Sequence, residues 1–320
     1  MRDGSRLLPV GIVVVLACGC GSGSTPAGQP PSASTPPVVR PQVEATIDVG
    51  SKPCAVTAAA GSVWFTDYGT NQVVRVDPTT NRVTGRFPTG SAPCGMTSAA
   101  GSVWVANVND GSVVRIDPAT GKTTRTVELG DQIWDLQHGD GAVWATGHAT
   151  GQVYRIDPST GRIVRRIQVG GTLSGLAVAP GGVWAADQSG NRIIRIEPAT
   201  NPVVSRLRTR PGPVWFALAG RQLWVADQAG NALQRIDPIA AKVTATVATS
   251  GRPLDPGIAG GSLWVPSSTG RMWRVDLQHP ERVTQSRWPQ GIFVAQPAAG
   301  SLWLLDFAGR RAWRLSAQRG

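Results

Sequence analysis

Gly101-Ser102-Val103-Trp104-Val105-Ala106, then Val113-Val114-Arg115-Ile116, then Asp117-Pro118-Ala119-Thr120-Gly121: this stretch decides the fold. A glycine turn leads into a short apolar run, and Asn107–Gly111 is turn-like. A β-branched run follows and stops at the Asp-Pro turn. Thr123–Leu129 is a third run, and a fourth starts after Gly130. Short runs punctuated by Gly, Pro, Asn and Asp read as strands, and no segment sustains a helical period. In the Asp-Pro-x-Thr-Gly turn, Asp bonds the backbone two residues on, Pro presets φ, and Gly supplies the left-handed residue.

The unit recurs. Its tryptophan returns at Trp64, Trp104, Trp144, Trp184, Trp224 and Trp264, each 40 residues apart, and at Trp303 after 39. The turn returns at Asp77, Asp117, Asp157 and Asp237, and as Glu197-Pro198. A fixed period of four short antiparallel strands is a propeller blade. The repeat tryptophan lies on the second strand and is expected to pack one blade on the next, because a lone four-stranded sheet cannot bury both faces. The last repeat, 292–320, supplies only three strands, while Gln42–Gly50 matches the fourth-strand pattern of Arg162–Gly170. The expected fold is therefore all-β. Residues 42–320 form a seven-bladed β-propeller of four-stranded antiparallel blades, closed by the N-terminal strand with no free edge at the joint.

Arg2 and Arg6 precede the apolar run Leu7–Ala17, which is too short to span a bilayer at about 20 residues and reads as a signal peptide over 1–17. Val15-Leu16-Ala17-Cys18 resembles a bacterial lipobox, which makes Cys18 the expected lipidation (palmitate) site, with Cys20 as the fallback. Residues 18–41 then form a tether carrying the lipidated Cys, with six prolines between 21 and 41. The expected location is extracytoplasmic, anchored to the cell membrane. A secreted protein with a simple cleaved signal is the other reading.

The net charge of +11 becomes +10 once residues 1–17, with Arg2, Asp3 and Arg6, are removed. Arginine outnumbers lysine 28 to 3, and Arg75, Arg115, Arg155, Arg195, Arg235, Arg274 and Arg314 recur with the repeat. Charge spread round the ring protects outer strands and aids solubility; it is not the single basic face that nucleic acid requires. No nucleic-acid partner is expected. Solvated faces, or contact with anionic lipid headgroups or wall polymers, are the two readings of this charge.

Cys54 and Cys94 occupy equivalent positions at the start of the innermost strand in the first two blades. An oxidising compartment allows a disulfide between them, and two small buried thiols are the alternative. No metal-ligand spacing is present and no metal or cofactor is expected.

Two sets of residues are candidates for a binding site. Three residues after each repeat tryptophan come Asp67, Asn107, Gly147, Asp187, Asp227, Ser267 and Asp306, on the face that carries the loop histidine His148. That ring either binds a polar ligand or caps its own turns. The second set breaks the repeat. Trp134, Trp215 and Phe293 are aromatics that the pattern does not require, and Asp135 and Asp255 are acids beside the same register. They read either as a pocket at the channel mouth or as a core plug.

The frame Gly-Ser-Val-Trp…Arg-Ile-Asp-Pro-x-Thr-Gly, with Pro93-Cys94-Gly95 opening a first strand, resembles the streptogramin B lyase-like propellers over residues 43–320. The resemblance implies a seven-bladed fold. It also implies an elimination that opens an ester, using first-strand histidines, nearby glutamates and magnesium. Here the first-strand position carries Cys54, Cys94, Trp134, Ser174, Val214, Leu254 and Phe293, never His. The sequence therefore reads as a monomeric, envelope-anchored propeller that binds a small molecule or a protein. A streptogramin lyase-like C–O lyase or hydrolase with a relocated site, with magnesium only in that case, is the alternative. A sensor ectodomain is a third class.

Overall fold

The computed structural model describes residues 42–316. The expected signal peptide, the expected lipidation site Cys18 with its fallback Cys20, and the expected tether lie outside the described residues. Within them, 28 strands form seven four-stranded antiparallel sheets. In blade 3 the strands are Ile133–Gly139, Ala142–Gly147, Gln152–Ile156 and Ile163–Gln168, paired in that order. The first strands touch one another in sequence from blade 1 to blade 7 and back to blade 1, so they line the axis of a closed ring. The final blade takes its fourth strand, Val43–Asp48, from the N-terminal end, antiparallel to Arg311–Leu315. The chain is a seven-bladed β-propeller, as its period predicts.

Each repeat tryptophan packs against the following blade. Trp104 lies among Leu136, Val143 and Tyr154 of blade 3, Trp144 among Leu176 and Val183 of blade 4, and Trp303 among Val56 and Phe65 of blade 1. Six of the seven have no exposed surface, and Trp264 retains 8%.

The repeat arginines do something the sequence reading missed. Arg155 stacks over Trp144, 5.4 Å from the ring centre, and donates to the Pro198 carbonyl in the next blade's turn at 2.9 Å. Arg75 to Pro118, Arg115 to Ser159 and Arg195 to Pro238 repeat the bond at 2.9, 3.0 and 3.1 Å, and Arg314 to Pro78 repeats it across the closure. These arginines tie blade to blade, a role beyond the protection and solubility expected of them. Guanidinium suits the task because its planar fork stacks and donates at once.

Two junctions lack this bond among the described residues. Arg235 donates sideways to Thr244, because blade 6 has Asp276-Leu277 where an Asp-Pro turn would stand. Arg274 bonds Ser262, since the last blade's third and fourth strands come from opposite ends of the chain and no turn joins them. Blade 6 is irregular in its backbone too. Its first strand is only Gly257–Ala259.

Candidate site at the channel mouth

The local backbone decides which side chains reach the axis. In the first strand of every blade except the sixth, pairing slips by a bulge, between Pro53 and Val56, Pro93 and Met96, Ile133 and Leu136, Leu173 and Leu176, Pro213 and Trp215, and Ile292 and Val294. A bulge interrupts the in-out alternation and re-aims side chains. That is how the neighbours Trp134 and Asp135 come to line one cavity. In blade 6 a break does the same work. Pro253 still bridges Ser267 of its own blade, but Asp255 hydrogen-bonds to blade 7, its N–H donating to Phe293 O and its C=O accepting from Ala295 N, both at 3.1 Å. Pro256 has no N–H to continue the ladder. Gly257 is required there, because a Cβ would collide with the Ala295 carbonyl.

The cavity has a volume of about 240 Å³. It brings together the residues that break the repeat: Trp134, Asp135, Trp215, Asp255 and Phe293 all line it. Gln137 and Gln296 join them, and sequence reasoning missed both. They stand three residues beyond Trp134 and Phe293, where the other blades carry Thr57, Thr97, Ala177, Ala217 and Gly257. Comparing that register across blades would have found them.

Asp135 Oδ2 accepts from the Leu176 N–H of blade 4 at 2.7 Å, and Gln137 approaches its other oxygen at 3.4 Å. Burial pushes the Asp135 carboxyl up to about 7 against these bonds. Asp255 is 6% exposed and accepts from Gln296 Nε2 at 2.8 Å. Burial, and then the charge of Asp135, push its carboxyl well above the usual range. Like charges sharing a dry site favour the protonated form.

Aromatic rings form a collar around the site. Trp215 meets Phe293 edge-on at 5.9 Å, Phe293 meets Phe307 at 5.6 Å, and Phe307 meets Tyr68 at 5.6 Å. Trp134 packs with Tyr68 and Phe307 on Cys54 and Cys94, which are disulfide-bonded with Cα atoms 5.0 Å apart. Tyr68 and Phe307 are half-buried and share the register of His148, four residues after a repeat tryptophan; that shared spacing was the available signal. His148 meets Trp134 edge-on at 6.1 Å, and its Nδ1 donates to the Leu173 carbonyl at 2.6 Å.

The repeated ring of Asp67, Asn107, Asp187, Asp227, Ser267 and Asp306 does not line this cavity. Most of these side chains serve their own turns. Asp187 accepts from Gly190 N at 2.9 Å and pairs with Arg192 at 2.7 Å; Asp67 accepts from Thr70; Asn107 donates to Ser112 at 3.1 Å. The blade with Gly147 at this register explains why. There Asp131, from the preceding loop, places its carboxylate where a Cβ on Gly147 would collide with it, and accepts from Thr150, Ala149 N and Tyr154. Blade 3 thus keeps a side-chain acceptor at this turn, supplied by a different segment, as Asn107 and Ser267 supply one in blades 2 and 6. Asp306, whose buried Oδ1 has no partner among the described residues, and Asp227 are the exceptions, and Asp227 is the more extreme. It is fully buried, neither oxygen has a partner among the described residues, and burial pushes it up to about 8.

Residues 88–174 match a family described as a repeat of unknown function (DUF6923). No curated protein matches the chain. Among solved structures, the β-propeller domain of Myceliophteria thermophila Cps50 (Swd1) superimposes with a TM-score of 0.74 at 13% identity, over 87% of this chain and 99% of that one. Hydrazine synthase of Kuenenia stuttgartiensis gives a TM-score of 0.71 at 14% identity, over 86% of this chain and 98% of that chain. Identities this low carry the fold alone. The chain is similar to these proteins as a β-propeller.

Proposed function

We propose that this protein is an exported, lipid-anchored propeller that binds a ligand at the mouth of its channel through Trp134, Asp135, Trp215 and Asp255. One observation carries the reading. The residues that depart from the repeat, scattered over 160 positions of sequence between Trp134 and Phe293, line a single cavity. A ring of identical blades cannot recognise an asymmetric ligand without breaking its own symmetry. An apolar wall with a few placed polar groups is the usual make-up of a ligand site. A ligand screen by thermal shift on wild type, Trp134→Ala and Trp215→Ala tests it. Hits whose shift disappears in both variants are expected; hits indifferent to both would remove the site.

The anchor rests on the sequence of residues 1–41. Palmitate labelling should be lost in Cys18→Ser. Undiminished labelling would move the site to Cys20 or remove the anchor.

A second reading, a lyase or hydrolase, is favoured by one feature: a carboxyl at about 7 in a cavity suits a general base or acid. The residues do not fit the magnesium site that the lyase resemblance implies. Among the described residues no three His, Cys, Asp or Glu side chains gather, and Asp135 and Asp255 are already engaged by protein N–H donors. Streptogramin B turnover by wild type that is lost in Asp135→Asn would establish this reading in place of simple binding.

A further inference from the structure

We propose that the channel cavity takes a small organic cation, its ammonium group held by Asp135 and Asp255 and its carbon body against Trp134, Trp215 and Phe293. The inference rests on the cavity being the binding site.

The charge pattern is the first argument. The chain carries 31 Lys and Arg against 20 Asp and Glu, yet the cavity lining contains two carboxylates and no basic side chain. No built-in cation neutralises the pair. Carboxyls in that condition hold protons rather than stay ionised, and an arriving positive group is what lets them ionise. A neutral ligand leaves them protonated, and an anion opposes their ionisation.

The second argument is the wall. Trp134, Trp215 and Phe293 supply π faces, which attract ammonium groups and do so more strongly away from water. A bare metal ion would gain little from them. Third, Asp255 is more than nine-tenths buried, and only its Oδ2 accepts a protein hydrogen bond, leaving Oδ1 for a ligand. Fourth, a volume of about 240 Å³ lies below the common range of roughly 300–1,000 Å³, so the guest is small. The Asp135 carboxyl, near 7 in the free protein, adds a signature: cation binding should expel protons and tighten as pH rises from 6 to 8.

The test is calorimetric titration of the full-length protein with choline, agmatine and spermidine, with 3,3-dimethylbutan-1-ol as the uncharged counterpart of choline, and with magnesium chloride and acetate. At least one ammonium compound is expected to bind, choline, if it does, at least about tenfold tighter than its uncharged counterpart. The ammonium binding should release protons and weaken about tenfold in Asp255→Asn, which keeps the side chain's shape and its acceptor for Gln296. Equal binding of 3,3-dimethylbutan-1-ol, lost in Trp134→Ala, would overturn the cation while sparing the site. Ammonium binding indifferent to both Asp255→Asn and Trp134→Ala would overturn the site and the cation together. Magnesium binding without ammonium binding, or no ammonium binding at millimolar concentration, overturns the cation.

Discussion

Blades 3 and 6 each supply one channel carboxylate and reach it by opposite routes. Blade 3 keeps the repeat intact. Its bulge, its inter-blade arginine and its turn carboxylate are all in place, and Asp135 is a side-chain substitution on a standard backbone. Blade 6 gives up the backbone. Its first strand is cut to Gly257–Ala259, Asp255 hydrogen-bonds to the neighbouring blade, and neither flank has the arginine bond. A groove lined by Ala245–Ala248, Pro280 and Val283 opens at its junction with blade 5. The difference separates two jobs. Positions that obey the repeat hold the ring together, and departures from it shape the site, cheaply in blade 3 and at structural expense in blade 6.

The largest expected effect probes the stronger junction. Trp144→Ala should cost roughly 3–5 kcal/mol, because a fully buried ring leaves a cavity between two fixed sheets. Trp264→Ala should cost less, since that indole is already 8% exposed beside a junction without the arginine bond. Denaturant melts of the two variants measure this, and equal losses would break the contrast between the blades.

Next come the arginines. Arg155→Ala removes a charged donor shared by the Pro198 carbonyl and Asn201, and should cost about 1.5–3 kcal/mol. Arg235→Ala removes only a bond to Thr244 within its own blade and should stay within about 0.5 kcal/mol. If Arg235→Ala proves as damaging as Arg155→Ala, the arginines act through something other than the blade-to-blade bond.

The fold was legible because its signals are local and repeated: Trp104 and its equivalents, the Asp117-Pro118 turn, and the unmatched strand at Gln42–Gly50. The candidate site was legible only as an absence of pattern at Trp134, Asp135, Trp215 and Asp255. What stayed hidden depends on geometry that spacing does not encode. The bulge that turns Trp134 and Asp135 to the same cavity leaves no signature of its own. The Arg155 bond joins side chain to backbone 43 residues away, so periodic arginine looks like periodic surface charge. Asp67 and its equivalents looked like a binding ring because a structural cap repeats as regularly as a functional one would.

That last point has its own test, with a smaller expected effect. Asp131→Gly should cost about 1–2 kcal/mol by stripping acceptors from Thr150, Ala149 N and Tyr154. Adding Gly147→Asp should recover much of the loss, since Asp187 fills the equivalent space in blade 4 from that very register. Failure of the double variant to recover would mean that the Tyr154 ring, 2.8 Å from a Cβ at position 147, keeps a carboxylate from entering on that side.

The smallest effect distinguishes the two channel carboxyls through pH. The folded protein holds the Asp135 proton up to about 7, whereas the unfolded chain releases it near 3.8. Between those values the folded state binds more protons, so stability falls as pH rises, and the decline ends once both states are ionised. From pH 6 to 7 this group alone should remove about 1 kcal/mol. Asp255 is pushed well above its ordinary value by burial and then by Asp135, so it adds its own share to the same decline. Asp135→Asn should therefore remove its own share of the decline and the part of the Asp255 shift that its charge causes, whereas Asp255→Asn should remove the Asp255 share alone. Asp227, pushed up to about 8, titrates in the same window in every variant, so the quantity to read is each variant's difference from wild type. Urea melts from pH 5 to 9 provide those differences. Superimposable curves for Asp135→Asn and Asp255→Asn would show one coupled pair titrating as a unit. The regular and the broken blade would then present their carboxyls to the channel on equal terms.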